Sequence, residues 1–313
     1  MTSMKAVRIH NYGGADALVY EDAPLPTPGA GEVLIRVLAT SVNPVDSAIR
    51  AGYMAGYFNL TMPAILGLDV SGVIEEAGAG VTAFERGDNV YTRTALGRDG
   101  AYAEYAVVSA EDVVAKPQSL DHIHAAALPH VFLTAWQALI ETAELSVGQT
   151  VLIHGASGGV GHVAVQLAKA RGAKVIGTTS RNIDFVRDLG VDEVIDYSAA
   201  PFETAVHDVD VVLDTVGGET QQRSWGVLKP GGILVSLVQP PSAETATAHG
   251  VRGAMVFGSP PVGKVLTELA ALVDAGQVKP RIAAVLPLAE IRQATAMIES
   301  GHTAGKIVLE VAR

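Results

Sequence analysis

Apolar and polar positions change their rhythm near residue 122. Before it, apolar residues fall in short alternating or β-branched runs at 4–9, 32–42, 69–77, 89–92 and 101–108. Clusters rich in Gly, Pro or Asp separate them, at 13–14, 24–31, 78–80, 86–88 and 97–100. Period-two runs between turn-forming clusters predict many short strands, and so a compact β-barrel-like domain with no helix of length before residue 122. Residues 122–143 read as helical, with Pro129 a break inside them. From there strands and helices alternate: strand 151–153, a glycine turn, then a helix marked by Val160, Val163, Ala164, Leu167 and Ala168 at three-and-four spacing. The pattern continues as strand 174–178, helix 182–189, strand 193–195, strand 210–213, helix 219–228 and strand 233–237. Pro230-Gly231-Gly232 reads as a helix stop before that last strand. Strand 251–257, helix 261–275, strand 281–286, helix 289–299 and strand 307–311 complete the chain. Such alternation predicts an α/β fold with a doubly wound parallel sheet.

The turn after strand 151–153 carries the chemistry. It reads Gly155-Ala156-Ser157-Gly158-Gly159-Val160-Gly161, which places alanine at the first position of the G-x-G-x-x-G frame and Gly158 and Gly161 at the others. Glycines there let the chain turn sharply and bring backbone N–H groups and a helix N-terminus to a pyrophosphate. A site that prefers NAD places a carboxylate about 20 residues further on, to bind the ribose hydroxyls. Here strand 174–178 runs into Thr179, Ser180 and Arg181, with no acid before Asp184. A carboxylate would repel a 2′-phosphate, whereas hydroxyls and a guanidinium would hold it, so the expected cofactor is NADPH.

Composition narrows the classes. The 313 residues suffice for two domains, and 49% hydrophobic with 18% charged content is that of a globular chain. A net charge of −11 argues against nucleic acid and anionic membranes as partners. No uninterrupted apolar run reaches the 18 or so residues of a membrane span, and residues 1–10 lack a signal-peptide core, which gives the expectation of a cytoplasmic protein. With no cysteine, disulfides, thiolate-ligated zinc and a cysteine nucleophile are excluded.

Further segments carry a resemblance: Ser41-Val42-Asn43-Pro44-Val45-Asp46, Gly67-Leu68-Asp69-Val70-Ser71-Gly72, Gly87-Asp88-Asn89-Val90, Leu133-Thr134-Ala135-Trp136 and Gly305-Lys306-Ile307-Val308-Leu309. With the glycine turn, their order resembles the zinc-free quinone oxidoreductases, the zeta-crystallin-like branch of the medium-chain dehydrogenase/reductase superfamily. The resemblance implies a GroES-like catalytic domain over 1–125, with 262–313 returning to it, and a Rossmann domain over 126–261. It implies hydride transfer from NADPH to a quinone or an activated C=C bond of an enone or enal. It places Ser157, Gly159 and Val160 on the pyrophosphate, Ser180 and Arg181 on the 2′-phosphate and Tyr197 near the adenosine. Val216, Leu237 and Phe257 would face the nicotinamide with Thr134 beside it, while Asn43 and Asp46 would line a substrate cleft. A homodimer through residues 251–257 is implied as well. Pro129-His130-Val131-Phe132 departs from the small residues typical of the family. Ile183 and Asp184 follow Arg181 where many members carry a lysine, which leaves the phosphate mainly to that arginine.

The region that holds zinc in related alcohol dehydrogenases offers Asn43, Asp46, Leu68 and Asp69, which is no ligand set, and the nine histidines are scattered. The expectation is catalysis without metal, by alignment of the hydride and by hydrogen bonds to the developing oxyanion or enolate of a small hydrophobic acceptor. Asn43 is a candidate donor or a loop cap, and Asp46 an orienting or capping residue or an acid. Tyr53 or Tyr57 could give the proton, as could solvent. Tyr53, Met54, Tyr57, Phe58, Leu60 and Met62 form either a pocket wall or packing over their own domain. Lys306 is either a phosphate contact or a surface-strand lysine. Two other functions fit the same residues: an enoyl-thioester reductase, or an NADPH-binding structural or regulatory protein of low turnover.

Overall fold

The computed structural model describes residues 3–58 and 60–311. The chain divides into two compact units, one of Met1–His130, Pro261–Asp274 and Pro280–Arg313, the other of Val131–Pro260 with Ala275–Lys279.

The first unit opens with β1 (Ser3–Ile9) and β2 (Leu18–Pro24), an antiparallel pair, followed by β3 (Glu32–Val42), α1 (Pro44–Arg50) and β4 (Ala64–Ile65). Next come β5 (Asp69–Ala77), β6 (Asn89–Arg93), β7 (Tyr105–Ser109) and β8 (Val114–Ala115). The eleven-residue β3 is almost wholly buried and pairs with β5 and β7, so it forms the spine of the main sheet. Four elements here escaped the pattern, two of them the two-residue strands β4 and β8. β2 carries the adjacent acids Glu21 and Asp22, one toward each face, which mask its alternation, and α1 has only seven residues, led by a proline at its first turn. The strand expected at 101–108 begins only at Tyr105, although Ala103 bridges to Ala6.

Helices α2 (His122–Ala125) and α3 (Pro129–Trp136) follow, and Pro129 opens α3, where its missing N–H costs no hydrogen bond. A π-helical stretch, Gln137–Thr142, continues it. The helical stretch His122–Thr142 as a whole is long and apolar enough to cross a membrane, which the count of uninterrupted apolar residues missed; 67% of its most apolar window is buried, as in a core helix.

In the second unit the elements are β9 (Thr150–Ile153), α4 (Gly159–Ala170), β10 (Lys174–Thr179), α5 (Ile183–Asp188), β11 (Glu193–Asp196) and β12 (Val209–Asp214). They continue as α6 (Gly218–Ser224), β13 (Leu228–Ser236), α7 (Ala243–Ala248) and β14 (Arg252–Met255). Pro230-Gly231-Gly232 lies inside β13 as an irregularity, the helix before it having already ended at Ser224. β14 is shorter than the expected 251–257, and α7 had no signal in the periodicity. The six strands are parallel in the order β11-β10-β9-β12-β13-β14, so the connections reverse direction between β9 and β12. Val151, Leu152, Val211 to Leu213, Leu234 and Val235 fill its centre with less than 2% exposure, as strands covered on both faces require.

The tail, α8 (Val262–Asp274), β15 (Ile282–Pro287), α9 (Ile291–Glu299) and β16 (Lys306–Glu310), belongs to the first unit apart from the link at 275–279. β16 pairs antiparallel with β3, Ile307 opposite Val42.

Candidate functional site

An open parallel sheet holds ligands outside the carboxyl ends of its strands, where the connections reverse. In the second unit that point lies between β9 and β12, and the glycine turn leaves β9 there. Gly158 stands before α4 with an extended backbone and no side chain to cap the helix. Among the described residues no acceptor takes the N–H groups of Gly159, Val160 and Gly161, whereas the N–H of His162 bonds Gly158 O at 3.0 Å. These open donors and the helix dipole form an anion cradle. A Cβ on Gly161 would lie 2.1 Å from Gly155 O, so only glycine lets α4 pack this closely on the turn. Ala156, at the first fingerprint position, is fully buried, and a Cβ on Gly177 of β10 would come within 2.9 Å of its methyl. Glycine on the neighbouring strand therefore makes room for the alanine.

Beneath the turn lies a buried polar chain that spacing did not reveal. Thr178 Oγ1 accepts from the N–H of Gly155 at 3.3 Å and pairs with His154 Nδ1 at 3.2 Å. His154 Nε2 meets Ser224 Oγ at 2.9 Å, and that hydroxyl donates to Thr220 O at 2.6 Å. His154 therefore donates from Nε2 and accepts at Nδ1, as a neutral imidazole, and burial pushes its pKa down to about 4. Thr215 Oγ1 donates to the His154 carbonyl at 2.8 Å, linking the β9 and β12 ends.

On the β10 side, Thr179 is buried and donates to Ser157 Oγ at 3.3 Å, while Ser180 Oγ donates to the hydroxyl of the half-exposed Tyr197 at 2.9 Å. Arg181 is exposed and makes no ion pair among the described residues. Asp196, the strand neighbour of Thr179, has its carboxylate engaged by the N–H and hydroxyl of Ser198. On the other side, Val216 and Phe257 are exposed at the strand ends and Leu237 is partly so. Phe257 O accepts from Gln137 Nε2 at 2.9 Å, and Thr134 sits half-buried on α3.

The first unit holds a separate polar cluster, which corrects the expectations of a cleft lining and of an outward Lys306 and bears out the expected capping role of Asp46. Asn43 is fully buried, its amide donating to Asp69 Oδ2 at 2.8 Å and, at a longer 3.5 Å, to Ser41 O, while its carbonyl accepts from Lys306, so it is a structural tie with its amide turned inward. Lys306 is neither a phosphate contact nor a surface lysine: it is 2% exposed, donates to Val42 O at 3.0 Å as well as to Asn43, and lies 3.6 Å from Asp69 Oδ2. β16 starts at Lys306, and its pairing with β3 carries the ammonium inward. Asp46 does not line an open cleft. It is 4% exposed, accepts from the Asn43 N–H at 2.9 Å to cap α1, and accepts from the Tyr102 hydroxyl at 2.7 Å. Burial pushes its carboxyl up to about 6 in spite of those two hydrogen bonds. Asp69 further accepts from Ser41 Oγ at 2.5 Å and from the His130 N–H at 2.7 Å, and burial lowers the His130 pKa to about 4. Of the loop aromatics, Tyr53 and Tyr57 are exposed at 83% and 66%, while Met54, Leu60 and Met62 pack on the unit's own core. The loop's apolar residues thus pack over their own domain, and the two tyrosines face solvent.

This cluster does not suit zinc. Among the described residues no three His, Asp or Glu side chains gather as metal ligands, and beside Asp69 the neighbours are an amide and an ammonium that already supplies positive charge.

Residues 29–118 match the family model of the alcohol dehydrogenase GroES-like domain, and 189–309 that of a zinc-binding dehydrogenase. A GroES-like unit combined with a parallel sheet of this order and a glycine cradle is the architecture of the medium-chain dehydrogenase/reductases. The NAD(P)H oxidoreductase RTN4IP1, mitochondrial, of Danio rerio is 37% identical over 99% of this chain and 92% of its own length. Quinone oxidoreductase of Homo sapiens is 32% identical, over 98% and 97%. The quinone oxidoreductase structure from Coxiella burnetii superposes with a TM-score of 0.91 at 34% identity, covering 99% of this chain and all of that one. A cobalt and zinc bound alcohol dehydrogenase from Pyrobaculum aerophilum has a TM-score of 0.87 at 31% identity, covering 99% and 100%. The chain belongs to the medium-chain dehydrogenase/reductase superfamily, in its quinone oxidoreductase group, and is an oxidoreductase.

Proposed function

We propose that this chain is a metal-independent reductase that binds NADPH and delivers its hydride to a quinone or an activated C=C bond. The carrying observation is the cradle of open N–H groups at Gly159 to Gly161, placed where the sheet's connections reverse. Ser157 and those amides would hold the pyrophosphate. Ser180, Tyr197 and the unpaired Arg181 would hold a 2′-phosphate, and the lack of an acid between Gly161 and Arg181 removes the repulsion it would otherwise meet. When bound, the nicotinamide supplies the hydride. Val216, Leu237 and Phe257 would present an apolar wall to its ring, and Thr134 a hydroxyl.

With the Asn43 amide engaged internally and the donor set unsuited to zinc, the chain offers weak help to an unactivated ketone. An acceptor that already carries an electron-poor carbon needs less. That favours quinones, enones and enals, with the proton taken from solvent or from the exposed Tyr53 hydroxyl. A second copy would pair along the open edge of β14.

NADPH oxidation with a naphthoquinone, a short enal and an enoyl-thioester is the test. Turnover with the first two and little with the thioester is expected. Preference for the thioester would replace this reading with an enoyl reductase, and slow oxidation with all three despite tight NADPH binding would leave a binding protein.

A further inference from the structure

Asp214, the last residue of β12, is 0% exposed and has no lysine or arginine partner among the described residues. Its charge rests on four hydrogen bonds. Oδ1 accepts from the N–H groups of Val216 at 3.0 Å and Gly217 at 2.7 Å. Oδ2 accepts from Gln221 Nε2 at 3.0 Å and Ser236 Oγ at 2.9 Å. The bonds run to two different turns. Val216 and Gly217 begin the β12–α6 turn, and Ser236 ends β13, where its hydroxyl also accepts from Val238 and Gln239 N–H at 3.4 Å. Gln221 repeats the tie, donating to Gln239 O at 3.2 Å and accepting from Gln239 Nε2 at 3.1 Å. The Leu237 N–H closes it on Asp214 O at 2.9 Å.

Burying an anion without a cation is costly unless its hydrogen bonds are complete, and charge-assisted bonds are the stronger kind. Capping two strand ends could be done by a neutral side chain. The carboxylate makes the two turns one rigid piece, on the far side of β9 from the Ser180–Tyr197 end. A dinucleotide whose pyrophosphate sits on the β9 turn and whose adenosine lies over β10 must extend its other half over β12 and β13.

Resting on the NADPH reading above, we propose that Asp214 is a positioning residue for the nicotinamide half of the cofactor, acting through Val216 and Leu237. It would set the height and rigidity of that wall without touching the ligand.

The test compares two ligands by calorimetry: NADPH, and 2′-phospho-ADP-ribose, which keeps the phosphates and lacks the nicotinamide. Asp214→Asn is expected to weaken NADPH about tenfold and to leave the fragment within about twofold, because one charged anchor is lost at one end only. Ser236→Ala, which removes one of four donors and serves alone if Asp214→Asn does not fold, is expected to weaken NADPH about threefold with the fragment unchanged. Equal losses for both ligands, or no loss for either, would overturn the positioning role while leaving NADPH binding intact. If the unaltered protein bound neither ligand, the cofactor reading would fall and this role with it.

Discussion

The hydroxyl of Tyr102 donates to Oδ2 of Asp46 across 2.7 Å, with both side chains buried in the first unit. The bond favours the ionised carboxylate, but burial outweighs it and raises the Asp46 pKa from an ordinary 3.8 to about 6. Between those values the folded chain holds a proton that the unfolded chain releases. This group's contribution to stability is thus fully present below about pH 3.8 and is lost as pH rises through about 6. Relative to the unaltered protein, Asp46→Asn should gain about 3 kcal/mol between pH 3 and pH 7. Urea denaturation across that range measures it, and a pH-independent difference would show that Asp46 titrates normally. Tyr102→Phe should move the transition to higher pH.

Arg181→Ala should weaken NADPH binding about tenfold to a hundredfold, the range for a lost charge-assisted hydrogen bond, and leave NADH nearly untouched. Fluorescence titration with both cofactors decides it. Parallel losses would remove Arg181 from the phosphate site.

Lys306→Met would leave Asp69 buried with no ammonium beside it, a change expected to cost about 3–5 kcal/mol. Denaturation at neutral pH measures the loss. Where the variant is still folded at low temperature, its NADPH affinity should stay within a few-fold of the original. A large loss of affinity at unchanged stability would return Lys306 to the cofactor.

Dialysis against a strong chelator should leave the reductase rate unchanged, since the residues around Asp69 offer an amide and an ammonium in place of metal ligands. A rate restored only by added zinc would contradict this.

The strand-turn-helix of 151–168 was legible because its two signals are local. A β-branched run and a three-and-four repeat report burial on either side of a turn that only glycines permit. Ser180 and Arg181 were picked out by the missing carboxylate and Tyr197 by the resemblance, and it is the parallel register of β10 and β11 that brings Ser180 and Tyr197 into contact. The long β3 and β5 were readable to the residue from alternation. β2 and α1 were not, because a half-exposed acidic strand and a seven-residue helix leave too short a period to detect.

Within the first unit, residue type left Asn43 as a donor or a loop cap, Asp46 as a capping or orienting residue or an acid, and Lys306 as a phosphate contact or an exposed lysine, and the resemblance put Asn43 and Asp46 on a cleft. The capping roles hold at the start of α1, whereas the cleft placement and both readings of Lys306 do not. A lysine 263 positions away in sequence reaches Asn43 only because β16 returns to pair with β3. The same holds for His154, Thr178, Asp214 and Ser236, ordinary strand-end residues until the parallel sheet lays four strands side by side.

Sequence by itself determined the long strands and helices, the glycine turn and the missing carboxylate, since each depends on a sustained period, on backbone freedom or on charge within a few residues. Tertiary structure decided which polar groups are spent on one another and which stay open. Burial and hydrogen-bond satisfaction depend on neighbours brought from far along the chain, and no local pattern encodes them.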